Sequence, residues 1–200
     1  MEVIFVRHGQ SEHNLNTRDR LQTIHPHLTA FGEQQMQALG TEIQITINDL
    51  CIISPTIRTI ESFYQLARDH YSDQVWISPL CGPRMYPQNP DWYTLPCDRI
   101  LTIEQLCTDY ADWRIMNKQS LELWHDAVNT MPHAQFECHA RQLLLELKES
   151  GSSRAIIISH DGTINHYREL LGEQGLSRDT FLGEAGYYRT TFHEAKDGYD

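Results

Sequence analysis

The chain has 200 residues, 40% of them hydrophobic, and carries a formal net charge of −11. That length and composition suit one compact domain over residues 1–200 with a full core, and no long polar or charged tract marks a linker. The acidic balance repels polyphosphate backbones and anionic bilayers, which excludes nucleic acid and membrane as partners, so an anion site must be a local cluster of Arg and His.

From Met1-Glu2 the chain runs straight into an apolar stretch, without a basic leader or a run long enough to span a bilayer; a soluble, cytoplasmic protein is expected. Val3-Ile4-Phe5-Val6 reads as a buried strand ending abruptly in Arg7-His8-Gly9. Residues 10–26 are polar and rich in Asn, Arg and His, as in a surface loop that carries functional side chains. Thr29 is placed to cap a helix with Phe31, Met36, Leu39 and Ile43 on its inner stripe. Leu50-Cys51-Ile52-Ile53 reads as a strand. Ser54-Pro55 then reads as an N-cap with proline at the first helical position, opening a helix with Ile57, Ile60, Tyr64 and Ala67 inward.

Val75-Trp76-Ile77 is a short strand. Five of the eight prolines fall between Pro79 and Pro96, with Tyr86, Trp92 and Tyr93 interleaved. No helix or central strand tolerates that pattern, and an ordered lid over about residues 79–98 is expected. Helical patterns cover about Thr102 to Asn129 and Glu137 to Glu149. Ala155-Ile156-Ile157-Ile158-Ser159 is another buried strand and ends in His160-Asp161-Gly162. A helix from about Thr163 to Leu171 and a strand near Tyr187 to Phe192 close the chain. This alternation predicts a three-layer α/β/α sandwich around a mostly parallel sheet.

Two β-branched runs that each end in histidine place two imidazoles at carboxyl ends of strands, where open α/β sheets hold their chemistry. A phosphomonoester carries close to two negative charges, and Arg7, Arg58 and His160 supply the fixed donors such a group needs. Arg58 falls in the first turn of its helix, whose N-terminus adds a positive field. The histidines show no zinc spacing: His8-x-x-x-Glu12-His13 misses it by one residue, and His25-x-His27 and His133-x5-His139 lack partners at familiar intervals. No metal and no cofactor are expected. The five cysteines form no Cys-x-x-Cys pair and read as reduced structural thiols.

Arg7-His8-Gly9, Ser11-Glu12-His13-Asn14, Leu28-Thr29-x-x-Gly32-x-x-Gln35, Ser54-Pro55-x-x-Arg58-Thr59 and Ser159-His160-Asp161-Gly162 occur in one order over nearly the whole chain. Together they resemble the histidine phosphatase superfamily, which includes cofactor-dependent phosphoglycerate mutase and many small phosphatases. The resemblance implies a phosphoglycerate mutase-like fold and His8 as a nucleophile that passes through a phosphohistidine. Neighbouring arginines favour the neutral imidazole that attacks. It also implies phosphate contacts for Asn14 and, in the loop that closes over the site, Gln22. Many relatives place a glutamate two residues past a leucine after the third strand; here Leu80-Cys81-Gly82 stands in that register and the acid is missing. Asp161 resembles the proton-donating aspartate of the acid phosphatase and phytase branch and is ranked first as its replacement. Asp98, at the end of the lid, and Glu104 follow. Arg84 is a candidate for a second acidic group on the substrate. Hydrolysis of a small phosphorylated metabolite is the expected function, ahead of a mutase, which would need a more basic middle segment, and ahead of a silent phosphate-binding module.

Overall fold

A computed structural model describes residues 1–68, 74–89, 91–118, 120–125 and 128–193. Six strands form one sheet: β1 (Glu2–Arg7), β2 (Leu50–Ile53), β3 (Gln74–Ile77), β4 (Arg114–Ile115), β5 (Arg154–Ser159) and β6 (Tyr187–Thr191), in the order β4-β3-β2-β5-β1-β6. All pairings are parallel except β1 with β6. The helices are α1 (Ala30–Glu42), α2 (Ile57–Ala67), α3 (Ile103–Asp109), α4 (Leu121–His125), α5 (His133–Glu149) and α6 (Asp161–Leu170).

β1, β2 and β5 read as unbroken apolar runs because both of their faces are covered. Alternate residues go to opposite sides. Val3, Phe5, Leu50, Ile52 and Ile157 pack with Phe136, Leu143 and Leu144 of α5 and Ile164 and Tyr167 of α6. Ile4, Val6, Cys51, Ile53, Ile156 and Ile158 pack with Met36 and Leu39 of α1 and Ile60, Phe63 and Leu66 of α2. The expected three layers therefore follow from the pleat. The edge strand β6 instead alternates between half-buried and exposed residues and presents Arg189 and threonines at the rim, which discourages edge-to-edge pairing. Among the described residues no helix is long and apolar enough to cross a membrane.

Several expected boundaries differ. Thr29 caps α1 as expected, accepting from Gly32 N, but Phe31 is 55% exposed and lies off the buried stripe. α2 begins at Ile57 after Thr56, not at Ser54-Pro55, and Tyr64 points outward while Phe63 and Leu66 are buried. The helical pattern over 102–129 is broken: the Arg114–Ile115 backbone pairs with Trp76 and Ile77, and Asn117 turns at φ 54°. Tyr110 stacks on Trp113 at 5.0 Å, so apolar side chains at helical spacing pack across a turn instead of along one helix. α5 starts four residues early, at His133. The proline-rich segment is ordered, with single 3-10 turns at Pro79–Cys81 and Pro96–Asp98; Pro90 lies outside the described residues.

Candidate active site

Sheet register brings the site together. Arg7 of β1 pairs with Ser159 of β5, and Ile53 of β2 pairs with Ile158, so His8 and His160 leave adjacent strands at the same level with Ser54 one residue below, on the strand beyond. Backbone bonds His8 N to Ser159 O (3.1 Å) and Ser54 N to Ile158 O (3.1 Å) extend the ladder to these residues. α2 and α6 start just beyond, so two helix N-termini add a positive field toward the same place. Two glycines permit the close approaches. A Cβ on Gly32 would stand 1.9 Å from Gln10 O, and one on Gly162 2.1 Å from Arg84 O.

His8 is buried, and its Nδ1 lies 2.7 Å from Gly9 O. A carbonyl can only accept, so Nδ1 carries the proton and Nε2 keeps its lone pair. Burial, and then the Arg58 charge, hold this imidazole well below the usual histidine range. His160, with its ring centroid 5.1 Å from that of His8, is shifted the same way by the same two causes. Arg58 Nη2 donates to His160 Nδ1 at 3.3 Å, which leaves the His160 proton on Nε2, 2.8 Å from Ser54 Oγ. Ser54 thus serves the site instead of capping a helix. His13 completes the group at 5.5 Å from His8, with Nδ1 2.5 Å from Ser11 Oγ, and burial followed by Arg58 pushes it down to about 3.

Arg58 is 1% exposed and donates from Nη1 to Cys97 O at 2.8 Å. Its Nε is buried without a hydrogen-bond partner. Asp98 stands 3.7 Å from Arg58 Nη2 and accepts from Asn129 Nδ2 at 3.3 Å. Burial raises the Asp98 carboxyl above the usual aspartate range; Arg58 opposes this, and the nearby Asp161 charge adds to it. Asp161 itself pairs with Arg7 at 3.0 Å and accepts from Gly162 N at 2.7 Å. A cavity of about 420 Å³ opens over His8, His13, Arg58, Asp98, His160 and Asp161.

Other expected residues fall elsewhere. Arg7 does not line the cavity; it donates to Leu182 O at 2.6 Å and reaches the site through Asp161. Asn14 closes a turn, accepting from Ser11 N at 3.0 Å, and Gln22 is exposed on another turn; neither lines the cavity. Glu104 is exposed on α3 and does not line the cavity. Arg84 does line the cavity, yet its Nη1 donates to the carbonyls of Val128 and Met131 and its guanidinium lies 4.4 Å over Phe136. These bonds tie the lid to the segment before α5, while Arg84 Nε and Nη2 are buried without a hydrogen-bond partner, and burial lowers its pKa to about 10. In the register of the missing acid, Cys81 O and Gly82 O accept from Ser159 Oγ (2.7 Å) and Thr163 Oγ1 (2.6 Å), so that turn is fastened to β5 and α6. Sequence reasoning missed Ser54 and His13 as site residues, although both lie within the quoted motifs. Asn129 carried no sequence signal.

Residues 3–79 match the family model described as histidine phosphatase superfamily (branch 1). No curated protein sequence matches the chain. Among solved structures, the α-ribazole phosphatase from Shigella flexneri is 20% identical, with 97% of this chain and 92% of that chain covered at a TM-score of 0.59. The ecdysone phosphate phosphatase from Bombix mori, in complex with tungstate, is 15% identical over 94% and 88%, at 0.60. The phosphoserine phosphatase from Entamoeba histolytica, in complex with 3-phosphoglyceric acid, is 21% identical over 94% and 89%, at 0.54. The family match covers residues 3–79, and the likeness to these phosphatases along nearly the full length is one of fold.

Proposed function

We propose that the protein hydrolyses a small phosphomonoester through a phosphohistidine on His8. The observation that carries this reading is the convergence of His8 Nε2, with its lone pair free, His160 and the buried Arg58 guanidinium on one cavity. In the first step His8 Nε2 attacks phosphorus in line, forming a P–N bond as the ester P–O bond breaks; Arg58 holds the equatorial oxygens together with His160, whose Nε2–H passes from Ser54 Oγ to a phosphate oxygen. The leaving alkoxide takes a proton from a carboxylic acid. In the second step the resulting carboxylate accepts a proton from water, which attacks phosphorus and releases inorganic phosphate and the free imidazole.

The geometry favours Asp98 over Asp161 as that acid. Burial beside the cavity stabilises the protonated form of Asp98, whereas Asp161 uses both carboxylate oxygens on Arg7 and Gly162 N. Asp161 then positions Arg7 and the start of α6. The test is chemical trapping. Incubation with an aryl phosphate followed by an alkaline quench should leave one phosphoryl group on the peptide containing His8, and His8→Ala should abolish both the adduct and phosphate release, with chelators having no effect. Isomerisation of 3-phosphoglycerate in the presence of bisphosphoglycerate would point instead to a mutase, and phosphate binding without turnover to a silent module.

A further inference from the structure

The cavity extends well past the phosphate-binding groups, and its outer wall differs in character from its floor. Tyr86, Trp92 and Phe181 line it together with Pro87 and Leu95. The wall is held rigidly: Tyr86 donates its hydroxyl to Glu169 Oε1 at 2.6 Å, meets Phe181 edge-on at 6.0 Å and meets His166 edge-on at 4.9 Å. Trp92 has one ring face stacked on Tyr93 at 5.4 Å, with 17° between the planes, and remains 39% exposed.

The side-chain amide oxygens of this wall are already engaged, whereas Arg84 Nε and Nη2 are buried without a partner. Asn129 accepts from Met85 N at 2.8 Å and donates to Asp98, and Asn89 Oδ1 accepts from Asp91 N at 3.0 Å. A polyhydroxylated group would find few free acceptors there, and its O–H groups would lose water without replacement. Arg178 also lines the outer wall. It is exposed, its guanidinium is 5.9 Å from the Phe181 ring, and it makes no ion pair among the described residues. A guanidinium so placed adds a further surface on which a planar ring can stack.

We propose that the outer wall formed by Tyr86, Trp92, Phe181 and Arg178 selects phosphomonoesters whose alcohol portion carries a planar aromatic ring. The proposal rests on the phosphatase reading above and names the substrate class for the same site. Stacking contacts of this kind correspond to a preference of ~2- to 10-fold beyond simple apolar burial. The experiment compares kcat/KM for phenylethyl phosphate and cyclohexylethyl phosphate, esters of alcohols of similar acidity and bulk, so that leaving-group chemistry cancels. The expected result is a preference for the aromatic ester that Trp92→Ala reduces to near unity and Trp92→Phe retains, with Phe181→Leu as an independent variant that also weakens it. Equal kcat/KM for the two esters in the wild-type protein, or a preference untouched by both Trp92→Ala and Phe181→Leu, overturns the aromatic wall while the phosphatase reading stands. Hydrolysis of neither ester, with no adduct on His8, overturns both.

Discussion

Replacing Asp98 with asparagine separates the proton donor from the carboxylate that merely organises the site. The substitution keeps an oxygen able to accept from Asn129 Nδ2, now 3.3 Å away, so the Pro96–Asp98 turn should hold its place. What disappears is the transferable proton. A positioned acid contributes about 10²- to 10⁴-fold when the leaving group is a poor one, and little when the leaving group departs as a stable phenolate. Asp98→Asn should therefore lower kcat/KM for an alkyl phosphate by ~10²-fold or more and change that for 4-nitrophenyl phosphate by less than ~10-fold. The ratio kcat/KM is the right quantity because it reports transfer to His8 and not the later attack by water. Asp161→Asn, which frees Arg7 from its 3.0 Å partner, should depress both esters by similar factors. Selective loss of the alkyl ester in Asp161→Asn together with its retention in Asp98→Asn would refute the assignment and restore Asp161 as the donor.

The same groups set a pH profile. His8 is held below the usual histidine range and stays neutral into mild acid, while the raised Asp98 carboxyl must be protonated; kcat/KM for an alkyl ester should fall as pH rises through the elevated Asp98 value, and that limb should vanish in Asp98→Asn. For stability, Asp49 is 3% exposed and joins Arg154 Nε at 2.7 Å; burial pushes its carboxyl up, but hydrogen bonds from Arg154 and Thr46 bring it below the usual range. Its contribution is therefore present above the ordinary aspartate pKa and lost as pH falls through the lowered one, and Asp49→Ala should cost about 1–3 kcal/mol by urea unfolding at neutral pH, with the difference shrinking in acid. Gly162→Ala forces a methyl group against Arg84 O at 2.1 Å, so backbone must move; a loss of about 1–3 kcal/mol together with reduced turnover is expected from thermal unfolding and kinetics.

The sequence exposes the parts of the molecule that obey a period. β1 and β5 announce themselves because central parallel strands are apolar on both faces, and the histidines that end them are adjacent for the same reason that the strands are. Arg58 was legible because it follows β2 at the start of a helix. The lid has no period, so the position of Asp98 relative to Arg58 depends on bonds such as Asn129 to Asp98, which joins residues 31 apart. Ser54 misled because a serine before proline satisfies helix-capping chemistry equally well, and only the neighbouring His160 ring shows where its hydroxyl goes. Arg84 suggests a ligand because it is a lone cation in a lid; two backbone carbonyls take its Nη1 and Phe136 lies under its plane, while Nε and Nη2 are buried without a partner.

The bond from Arg58 Nη1 to Cys97 O has a mechanical consequence. Cys97 immediately precedes Asp98 in a three-residue turn, so the Arg58 guanidinium and the carboxyl proposed as the acid are latched to one another. Any swing that lifts this turn to admit an alcohol or let phosphate escape also slackens the grip on the transferred group. Under the proposed mechanism, entry, protonation and exit would be geared to this one joint, and a residue that stiffens it should slow the release of phosphate even if the bond-breaking chemistry is intact.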